Sequence, residues 1–313
     1  MIIAVPLVVA ALLSLALTPV ARRLAIRHEF VDRPVRRSSH AQPVPFGGGF
    51  AIVVAFWLTT LVLQWPPSRP MVGLLAGSLI LLIVCTLDDK HGLPAGPRLG
   101  AQVAVGLIAY HFGVRVVQVS NPLHGMVGSE YIFMGLLELP VTVLWIVFIT
   151  NAVNWLDGLD GLAGGISAIG ATTLALIAAF GEQSLTVVVP AAALAGSALG
   201  FLRYNFNPAS IFMGDVGAMF LGYMLACLSV VGAVKGPTAL VLVVPLLVLG
   251  LPIYDSAATI FKRLLAGRPI HHADRGHLHH RLLDTGLSTR ETVLFMYGIT
   301  GLLCMIALGV WLR

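Results

Sequence analysis

Charged residues are scarce in this sequence. Of its 313 residues, 11% are Asp, Glu, Lys or Arg, whereas 58% are apolar. A soluble domain carries about a quarter charged residues, so the composition excludes an ordinary water-soluble domain. The apolar residues gather in runs, and many approach the roughly 20 residues that cross a bilayer. These runs lack the alternation of barrel strands, so they predict an all-α polytopic integral membrane protein.

Cysteine is also scarce, and a basic segment before the first apolar run is missing. Cys85, Cys227 and Cys304 lie inside apolar runs, and none has a partner at metal-ligand spacing. They are interpreted as small buried hydrophobic residues, which excludes a cysteine-based zinc site. The basic cluster follows the first apolar run instead of preceding it, so a retained helix is expected rather than a cleaved signal.

The apolar runs divide into ten predicted spans within one membrane-embedded domain, residues 1–313. The segment from Arg115 to Met134 lacks helical periodicity and predicts a short external hairpin. No internal repeat separates the chain into smaller units. The predicted spans are 1–21, 46–64, 71–87, 99–114, 135–151, 161–180, 184–203, 214–234, 238–260 and 291–312.

The basic residues predict the orientation of these spans. Loops after odd-numbered spans hold 15 of the 19 Lys and Arg residues, so the positive-inside rule makes those loops cytoplasmic. Both termini are then outside, and the net charge of +5 reflects topology rather than nucleic-acid binding. Of the 14 acidic residues, 11 also fall on the cytoplasmic side. The chemistry is therefore expected on the cytoplasmic face.

Two adjacent carboxylates, Asp88 and Asp89, end the third predicted span. Carboxylates beside lipid are costly unless they are paired or functional. Neighbouring residues on a helix point about 100° apart, so these two are expected to have different partners. A solvated helix end facing Lys90 is an equally good interpretation of this pair alone.

A second polar cluster runs from Asn151 to Gly165. Asn151, Asn154, Asp157 and Asp160 recur at every third residue, so each lies beside the next on a helix. The glycines among them permit a broken helix or close approach of a ligand. Amide and carboxylate oxygens suit Mg²⁺ and also hydrogen bonds to a ribose or base. A polar loop with an Asx turn is the alternative, but it accounts for one or two of the four residues.

A third cluster joins Asn205 to the segment from Phe212 to Gly217. Asp215 lies between two glycines at the start of a span, where a metal ion could reach it, and Phe212 could stack on a base. A helix N-cap is an equally good interpretation of Asp215.

The fourth cluster lies in the predicted cytoplasmic loop 261–290. Five of the ten histidines fall within residues 271–280, interleaved with arginine. Histidine and arginine at this density suit a pyrophosphate and sugar hydroxyls. A zinc site formed by His277, His279 and His280 is the alternative. The interleaved arginine and the absence of cysteine there disfavour it.

Taken in order, NAVNWLDGLDGLAGG, FMGDVG and DRGHLHH resemble the polyprenyl-phosphate N-acetylhexosamine-1-phosphate transferase family, glycosyltransferase family 4. The resemblance covers nearly the whole chain. The histidine segment is similar to the WecA/TagO-like branch and lacks the three-histidine run of the related MraY. This favours UDP-GlcNAc, or a closely related UDP-HexNAc, as the sugar donor over UDP-MurNAc-pentapeptide. Gly92 replaces a third carboxylate that some members have, which excludes that group from the mechanism.

The resemblance implies roles for individual residues. Asn154 and Asp215 are the expected ligands of Mg²⁺, with Mn²⁺ as an alternative cofactor. Asp88 is expected to engage the lipid phosphate, with Asp89 beside it and Asp157 as a further polar residue of the catalytic site. The uridine pocket is expected to be lined by Asp160, Asn205 and Phe212. The pyrophosphate and sugar are expected to contact Arg275, His277, His279 and His280.

The implied reaction transfers N-acetylglucosamine-1-phosphate from UDP-GlcNAc to a polyprenyl phosphate, undecaprenyl phosphate in bacteria, with release of UMP. This is the first membrane step of a cell-envelope glycan such as lipopolysaccharide or teichoic acid, in the bacterial cytoplasmic membrane. The resemblance allows a homodimer and implies no nucleic-acid partner. A transporter or flippase is the alternative class, but its carboxylates belong near the bilayer midplane.

Overall fold

The computed structural model describes residues 1–32, 43–121, 131–181, 185–233, 243–265 and 277–312. Within these ranges the chain forms twelve α-helices, one 3₁₀ turn and four short strands. The helices are α1 (Ala4–Arg27), α2 (Gly48–Leu63), α3 (Arg69–His91), α4 (Ala95–His111), α5 (Glu138–Leu156), α6 (Leu162–Phe180), α7 (Leu185–Asn205), α8 (Gly214–Ala233), α9 (Val243–Val248), α10 (Gly250–Leu265), α11 (Leu278–Asp284) and α12 (Thr289–Trp311).

The helices confirm an all-α polytopic membrane protein. Seven described helical segments are long and apolar enough to cross a membrane, and α2 is a shorter apolar helix. Each of the ten predicted spans overlaps at least one helix. The ninth span differs from a single continuous helix, because it breaks at Leu249 into α9 and α10. Pro252 explains the break, since it has no N–H to donate to the carbonyl of Val248.

Helix α8 lies at the centre of the bundle. It packs against α2, α3, α5 and α6, and 89% of its most apolar 18-residue window is buried. The outer helix α1 packs on α7, where Gly196 and Gly200 lie against the backbone of Leu7 and Ala11. A Cβ at either glycine would overlap that backbone, so the small residues set the close approach of the two helices.

Two antiparallel hairpins complete the described structure. In one, β1 (Val31–Asp32) pairs with β2 (Val44–Pro45), with Val31 opposite Pro45. In the other, β3 (Gln118–Ser120) pairs with β4 (Tyr131–Phe133), which confirms a hairpin between Arg115 and Met134. The β2 hairpin also fixes the segment before α8, because Phe212 N–H donates to Pro45 O at 2.9 Å.

Candidate active site

A cavity of about 410 Å³ lies at one end of the bundle, where α3 and α5 end and α8 begins. This arrangement brings together polar clusters that are far apart in the sequence. Eight of the twelve predicted site residues line it: Asp88, Asp89, Asn154, Asp157, Asp160, Asn205, Phe212 and Asp215. Its lining also includes residues that the sequence did not single out: Asp32, Phe46, Arg98, Leu159 and Gly214.

Asp88 is a buried, paired carboxylate rather than a solvated helix end. Arg98 of α4 donates from Nη1 to Asp88 Oδ2 at 2.9 Å, and Leu93 N–H donates to Asp88 Oδ1 at 2.7 Å. The same Nη1 lies 3.5 Å from Asp215 Oδ2. Arg98 therefore links the carboxylates of α3 and α8. From the sequence, Arg98 was interpreted only as one of the basic residues that set the membrane orientation. Its proximity to Asp88 in the chain, ten residues later, was the one feature that could have indicated the pairing.

Asp89 faces a different partner, as expected for its neighbouring position on the helix. Its Oδ1 accepts the Asp215 backbone N–H at 2.9 Å, so a residue of α3 caps the first turn of α8. The interpretation of Asp215 as the N-cap is wrong, because Asp215 lies inside the first turn of α8 and its own N–H is capped by Asp89. Gly214 has φ +67°, and a Cβ there would lie 2.5 Å from Asp89 Oδ2. Only glycine suits this left-handed position with a carboxylate so close.

Asn154 and Asp215 lie beside one another, and the Asn154 amide donates to Asp215 Oδ1 at 2.8 Å. Helix α5 ends at Leu156, so the three-residue spacing does not continue around one helix. Asn151 lies outside the cavity lining, where its side-chain amide and that of Gln102 donate to one another at 2.6 and 3.2 Å.

Asp157 follows the end of α5 and faces the other carboxylates of the cavity. Burial raises the pKa of Asp157 well above its ordinary value, and the charges of Asp215, Asp89 and Asp160 raise it further. This carboxyl is therefore suited to hold a proton. A protonated carboxyl can donate a hydrogen bond, which a carboxylate cannot do.

Asp160 and Asn205 organise the loops around the cavity. Asp160 Oδ2 accepts from Asn207 Nδ2 at 3.0 Å and from Ala209 N–H at 2.9 Å. Buried Asn205 accepts from Gly161 N–H and donates to Ile211 O, both at 3.0 Å. Asn205 therefore ties the loop before α6 to the loop before α8.

Phe212 lines the cavity beside Phe46, with ring centroids 6.1 Å apart. Phe46 follows β2, so the hairpin supplies a second aromatic ring to this wall. Two neighbouring rings offer an apolar surface on which a planar base can stack.

The histidine segment packs behind the cavity wall. The rings of His277 and His279 stack at 5.7 Å, with His280 4.3 Å from His279. Gly158 lies between the cavity and His279. It lines the cavity on one side, and on the other side a Cβ added to it would lie 2.7 Å from His279 Nε2. Burial lowers the pKa of His279 to about 4, so the ring is neutral at pH 7. Arg275 lies outside the described residues.

A carboxylate that the sequence analysis missed anchors this segment. Asp255 of α10 is 3% exposed, and its Oδ2 lies 2.8 Å from His277 Nδ1. Its Oδ1 accepts the Leu278 N–H at 2.6 Å, at the start of α11. The signal was present in the sequence, because a carboxylate within a predicted span is costly unless it has a partner.

Comparison with known proteins places this arrangement in a family. The model of "Glycosyl transferase family 4" matches residues 71–233, which carry the cavity residues from Asp88 to Asp215. The chain belongs to glycosyl transferase family 4.

Relatives in glycosyl transferase family 4 span most of the chain. A probable undecaprenyl-phosphate N-acetylglucosaminyl 1-phosphate transferase of Bacillus subtilis (strain 168) is 39% identical over 94% of this chain and 81% of its own length. A decaprenyl-phosphate N-acetylglucosaminephosphotransferase of Mycolicibacterium smegmatis is 32% identical over 94% and 78%. A phospho-N-acetylmuramoyl-pentapeptide-transferase of Clostridium beijerinckii is 30% identical over 96% and 94%.

The charge of the cavity in this family 4 chain is strongly unbalanced. The described residues that line it include six carboxylates and one cation, Arg98. Asp89 Oδ2 is buried and has no hydrogen-bond partner among the described residues. The described part of the chain contains no ready-made group of three or more His, Cys, Asp or Glu side chains that could hold a metal ion. The zinc interpretation of His277, His279 and His280 therefore gains no support from the described residues.

Proposed function

We propose that this protein transfers N-acetylglucosamine-1-phosphate from UDP-GlcNAc to undecaprenyl phosphate, giving undecaprenyl-diphosphate-GlcNAc and UMP. The observation that carries the proposal is one acidic cavity at the helix ends that collects Asp88, Asp89, Asn154 and Asp215. The relative from Bacillus subtilis, 39% identical over 94% of the chain, supports the N-acetylglucosaminyl substrate and the undecaprenyl carrier. The product would start a cell-envelope glycan such as lipopolysaccharide or teichoic acid.

The cavity lining suits Mg²⁺, with Mn²⁺ as the alternative. Six carboxyl groups and one guanidinium line the cavity, and buried Asp89 Oδ2 has no hydrogen-bond partner among the described residues, so the lining has acceptor oxygens available for a cation. Asn154 and Asp215 would hold the ion, since Mg²⁺ usually takes one or two carboxylates and completes its shell with water and substrate phosphates. When bound, the ion supplies neutralisation of charge on the donor pyrophosphate.

Asp88 and Arg98 would position the lipid acceptor. Their 2.9 Å contact fixes the Asp88 carboxylate, which orients the lipid phosphate or takes its proton. A phosphate oxygen then bonds to the β-phosphorus of the donor, while the bond to the bridging oxygen breaks and UMP leaves with it. Phosphoryl transfer needs mainly in-line positioning and electrostatic support, so one displacement is enough.

The remaining residues would hold the donor. Phe212 and Phe46 would stack on the uracil ring, while Asp160 and Asn205 maintain the loops around it. The histidine segment would bind the pyrophosphate or sugar from behind Gly158, and Asp255 holds His277 in register beside His279. We assign Arg275 the same role from the sequence alone.

The orientation of the protein in the membrane is part of the same proposal. The 15 basic residues of the loops after odd-numbered spans would lie in the cytoplasm of a bacterium, where UDP-sugars are made. The cavity would then open at the cytoplasmic face of the cytoplasmic membrane, with ten spans and both termini outside. Carboxylates at helix ends, rather than at the middle of spans, favour this enzyme over a transporter.

Release of UMP by the purified protein tests the function. UDP-GlcNAc and UDP-MurNAc-pentapeptide are supplied in parallel with undecaprenyl phosphate and Mg²⁺, and Asp215→Ala is the negative control. Turnover with UDP-GlcNAc alone is expected. Turnover with the pentapeptide alone would keep the family and discard the proposed sugar. Folded protein that releases UMP from neither donor would contradict the proposal.

A further inference from the structure

A further cavity, here called the lipid-facing cavity, lies between α6, α7 and α12. Its volume is about 380 Å³, within the roughly 300–1,000 Å³ of ordinary ligand pockets. Leu199 of α7 and Met305 of α12 line it and are 42% and 63% exposed, so the cavity is open at the surface of the bundle. Because these helices are long and apolar enough to cross a membrane, the opening faces lipid chains.

The wall of the lipid-facing cavity is apolar even where it carries hydroxyl groups. The hydroxyls of Thr172 and Thr173 donate to backbone carbonyls one helical turn earlier, at 2.7 and 2.9 Å. The Tyr297 hydroxyl donates to Gly161 O at 2.6 Å. The described lining contains no charged side chain. Since the hydroxyls already have partners, the wall suits a hydrocarbon chain rather than a polar ligand.

The lipid-facing cavity is about as long as one leaflet of a bilayer. Along α12 its lining extends from Tyr297 to Leu308, and a rise of 1.5 Å per residue makes this about 16 Å. Half of a hydrocarbon core of roughly 30 Å is about 15 Å. Tyr297 marks the end nearest the acidic cavity, because it contacts Gly161, the residue after Asp160. An acyl chain of the leaflet on that side therefore matches the cavity in length.

Two exposed arginines lie toward that same end, beyond the apolar wall. Arg203 follows Leu199 by one turn of α7, and Arg290 precedes Tyr297 by two turns of α12, so each continues a face that lines the cavity. The Arg290 guanidinium lies 5.8 Å from the centroid of the Phe206 ring. The apolar wall therefore ends in positive charge.

This positive charge is available to a ligand. None of the ion pairs among the described residues uses Arg203 or Arg290. Glu291, the acidic neighbour of Arg290, instead accepts from the N–H and the hydroxyl of Ser288 at 2.8 and 2.7 Å. An apolar cavity of leaflet length that ends at two guanidinium groups complements an acyl chain that ends in an anionic headgroup.

Tyr297 connects the lipid-facing cavity to the acidic cavity. Its ring lies against Gly165, where a Cβ would overlap it, while its hydroxyl holds Gly161 O. Asn205 accepts the Gly161 N–H at 3.0 Å, so Gly161 is held from two sides. Asp160, the preceding residue, lines the acidic cavity. A molecule packed against Tyr297 therefore supports the loop that carries Asp160.

The two cavities are nevertheless separate, and they share no lining residue. Leu202 and Phe206 close the space at Gly161, where a Cβ would lie 3.3 Å from Leu202 Cδ1 and 3.1 Å from Phe206 Cδ2. A phosphate held at the end of the lipid-facing cavity does not reach the carboxylates of the acidic cavity. This separation favours a resident membrane lipid over the lipid substrate as the occupant.

We propose that the lipid-facing cavity binds an acyl chain of an anionic phospholipid, with its headgroup at Arg203 and Arg290, and that the bound lipid strengthens donor binding through Tyr297. The binding site is independent of the proposed function. Its effect on the donor rests on that function, because it acts on the loop assigned to the donor.

Photolabelling in nanodiscs tests the site without turnover. Phosphatidylglycerol with a diazirine in its acyl chain is irradiated with the full-length protein in phosphatidylcholine nanodiscs, and labelled peptides are mapped by mass spectrometry. Labels on α7 and α12 around Leu199 and Met305 are expected. Leu199→Trp fills the cavity and should lose most of them. Leu185→Trp is the matched control, since Leu185 lies on the same helix, is 50% exposed and is outside the cavity.

The headgroup is tested by the same labelling. Arg203→Gln should reduce it roughly fivefold, whereas Arg27→Gln, at the exposed end of α1, should not. Equal labelling of Leu199→Trp and Leu185→Trp would overturn the site. Equal labelling by a diazirine phosphatidylcholine would reject an anionic headgroup, and displacement of the label by undecaprenyl phosphate would reject a resident phospholipid.

Donor kinetics test the coupling through Tyr297. Replacing part of the phosphatidylcholine with phosphatidylglycerol should lower KM for UDP-GlcNAc at least about fivefold in the unsubstituted protein, with little change in kcat. Tyr297→Phe removes the hydroxyl that holds Gly161 and should abolish this response while the photolabelling persists. An identical KM in the two membranes, or a full response in Tyr297→Phe, would overturn the coupling. Because photolabelling needs no turnover, failure of the site is distinguishable from failure of the proposed function.

Discussion

Asp255 and His277 form a buried pair that joins a membrane helix to the histidine segment. The Asp255 carboxylate lies 2.8 Å from His277 Nδ1 and also accepts the Leu278 N–H. Since Nδ1 faces a carboxylate, a neutral His277 carries its proton there and presents Nε2 as an acceptor. Asp255 of α10 therefore fixes the position of the histidine segment and the tautomer of a neutral His277. Helix α10 is far in sequence from the residues that line the acidic cavity.

Replacing Asp255 with Asn should separate positioning from binding. Asn preserves the shape but removes the charge that orients His277, so kcat is expected to fall roughly 10- to 100-fold, as for other residues that orient a functional histidine. KM for the lipid acceptor should stay unchanged. UMP release at varied donor and acceptor concentrations measures both. Asp284→Asn, at an exposed position of α11, is the control, and an equal loss there would refute a specific role for Asp255.

Replacing Arg98 with Gln should impair both the reaction and the fold. The change leaves the buried Asp88 carboxylate without its charged partner, and because the Arg98 side chain is 36% exposed and water can partly replace it, the cost is about 1–3 kcal/mol of stability. The double variant with Asp88→Asn should be more stable than the sum of the single changes predicts. Thermal unfolding in detergent measures the coupling. Strict additivity of the two changes would show that the 2.9 Å contact contributes little.

Gly214→Ala should disrupt the junction of α3 and α8. Alanine is strained at φ +67°, and its Cβ would lie against Asp89 Oδ2. The strain of such positions is of order 1–3 kcal/mol, so a lower melting temperature and a loss of UMP release are expected. Gly298→Ala on α12, where a Cβ meets nothing within 4 Å, is the control and should be neutral or slightly stabilising. Equal melting temperatures for the two variants would contradict this account.

Acidification should destabilise the protein through His279. Its folded-state pKa is about 4 because of burial, below its ordinary value of 6.5, so the unfolded chain binds more protons between these values. Stability contributed by neutral His279 is complete above pH 6.5 and declines as the pH falls toward 4, by up to about 3 kcal/mol. Melting temperatures at pH 7 and pH 4.5 should differ less in His279→Gln than in the unsubstituted protein. His111→Gln, at an exposed position, should leave that difference unchanged.

A single displacement predicts that the protein itself is never labelled. UDP-GlcNAc carrying ³²P at the β-phosphate, supplied with Mg²⁺ but without lipid acceptor, should leave no acid-stable or hydroxylamine-sensitive label on the chain. Undecaprenyl phosphate added afterwards should carry the label into the lipid phase. A trapped acyl-phosphate that disappears in Asp88→Asn would establish a two-step route instead.

Much of the helical framework followed from local patterns. Apolar runs of bilayer length predict helices wherever they occur, because backbone groups in lipid must bond within their own segment. That reasoning located a helix at every predicted span. It did not locate the break at Leu249, because a proline inside an apolar run is compatible with either a kink or an interruption.

The candidate site was likewise predictable in its residues but not in its contacts. Asp88, Asn154, Asp157 and Asp215 could be recognised from the sequence because polar side chains next to long apolar runs are costly without a role. Their spacing indicated chemistry, but it could not indicate which carboxylate meets which partner.

The sequence by itself thus determined the class of protein, the helices and most of the polar residues that line the acidic cavity. Only the tertiary structure decided that Arg98 pairs with Asp88, that Asp89 caps α8, and that Asp255 holds His277. Each of these contacts joins residues on different elements. Their geometry depends on how helices pack through small residues and fixed side chains, and no local pattern of hydropathy or spacing encodes that packing.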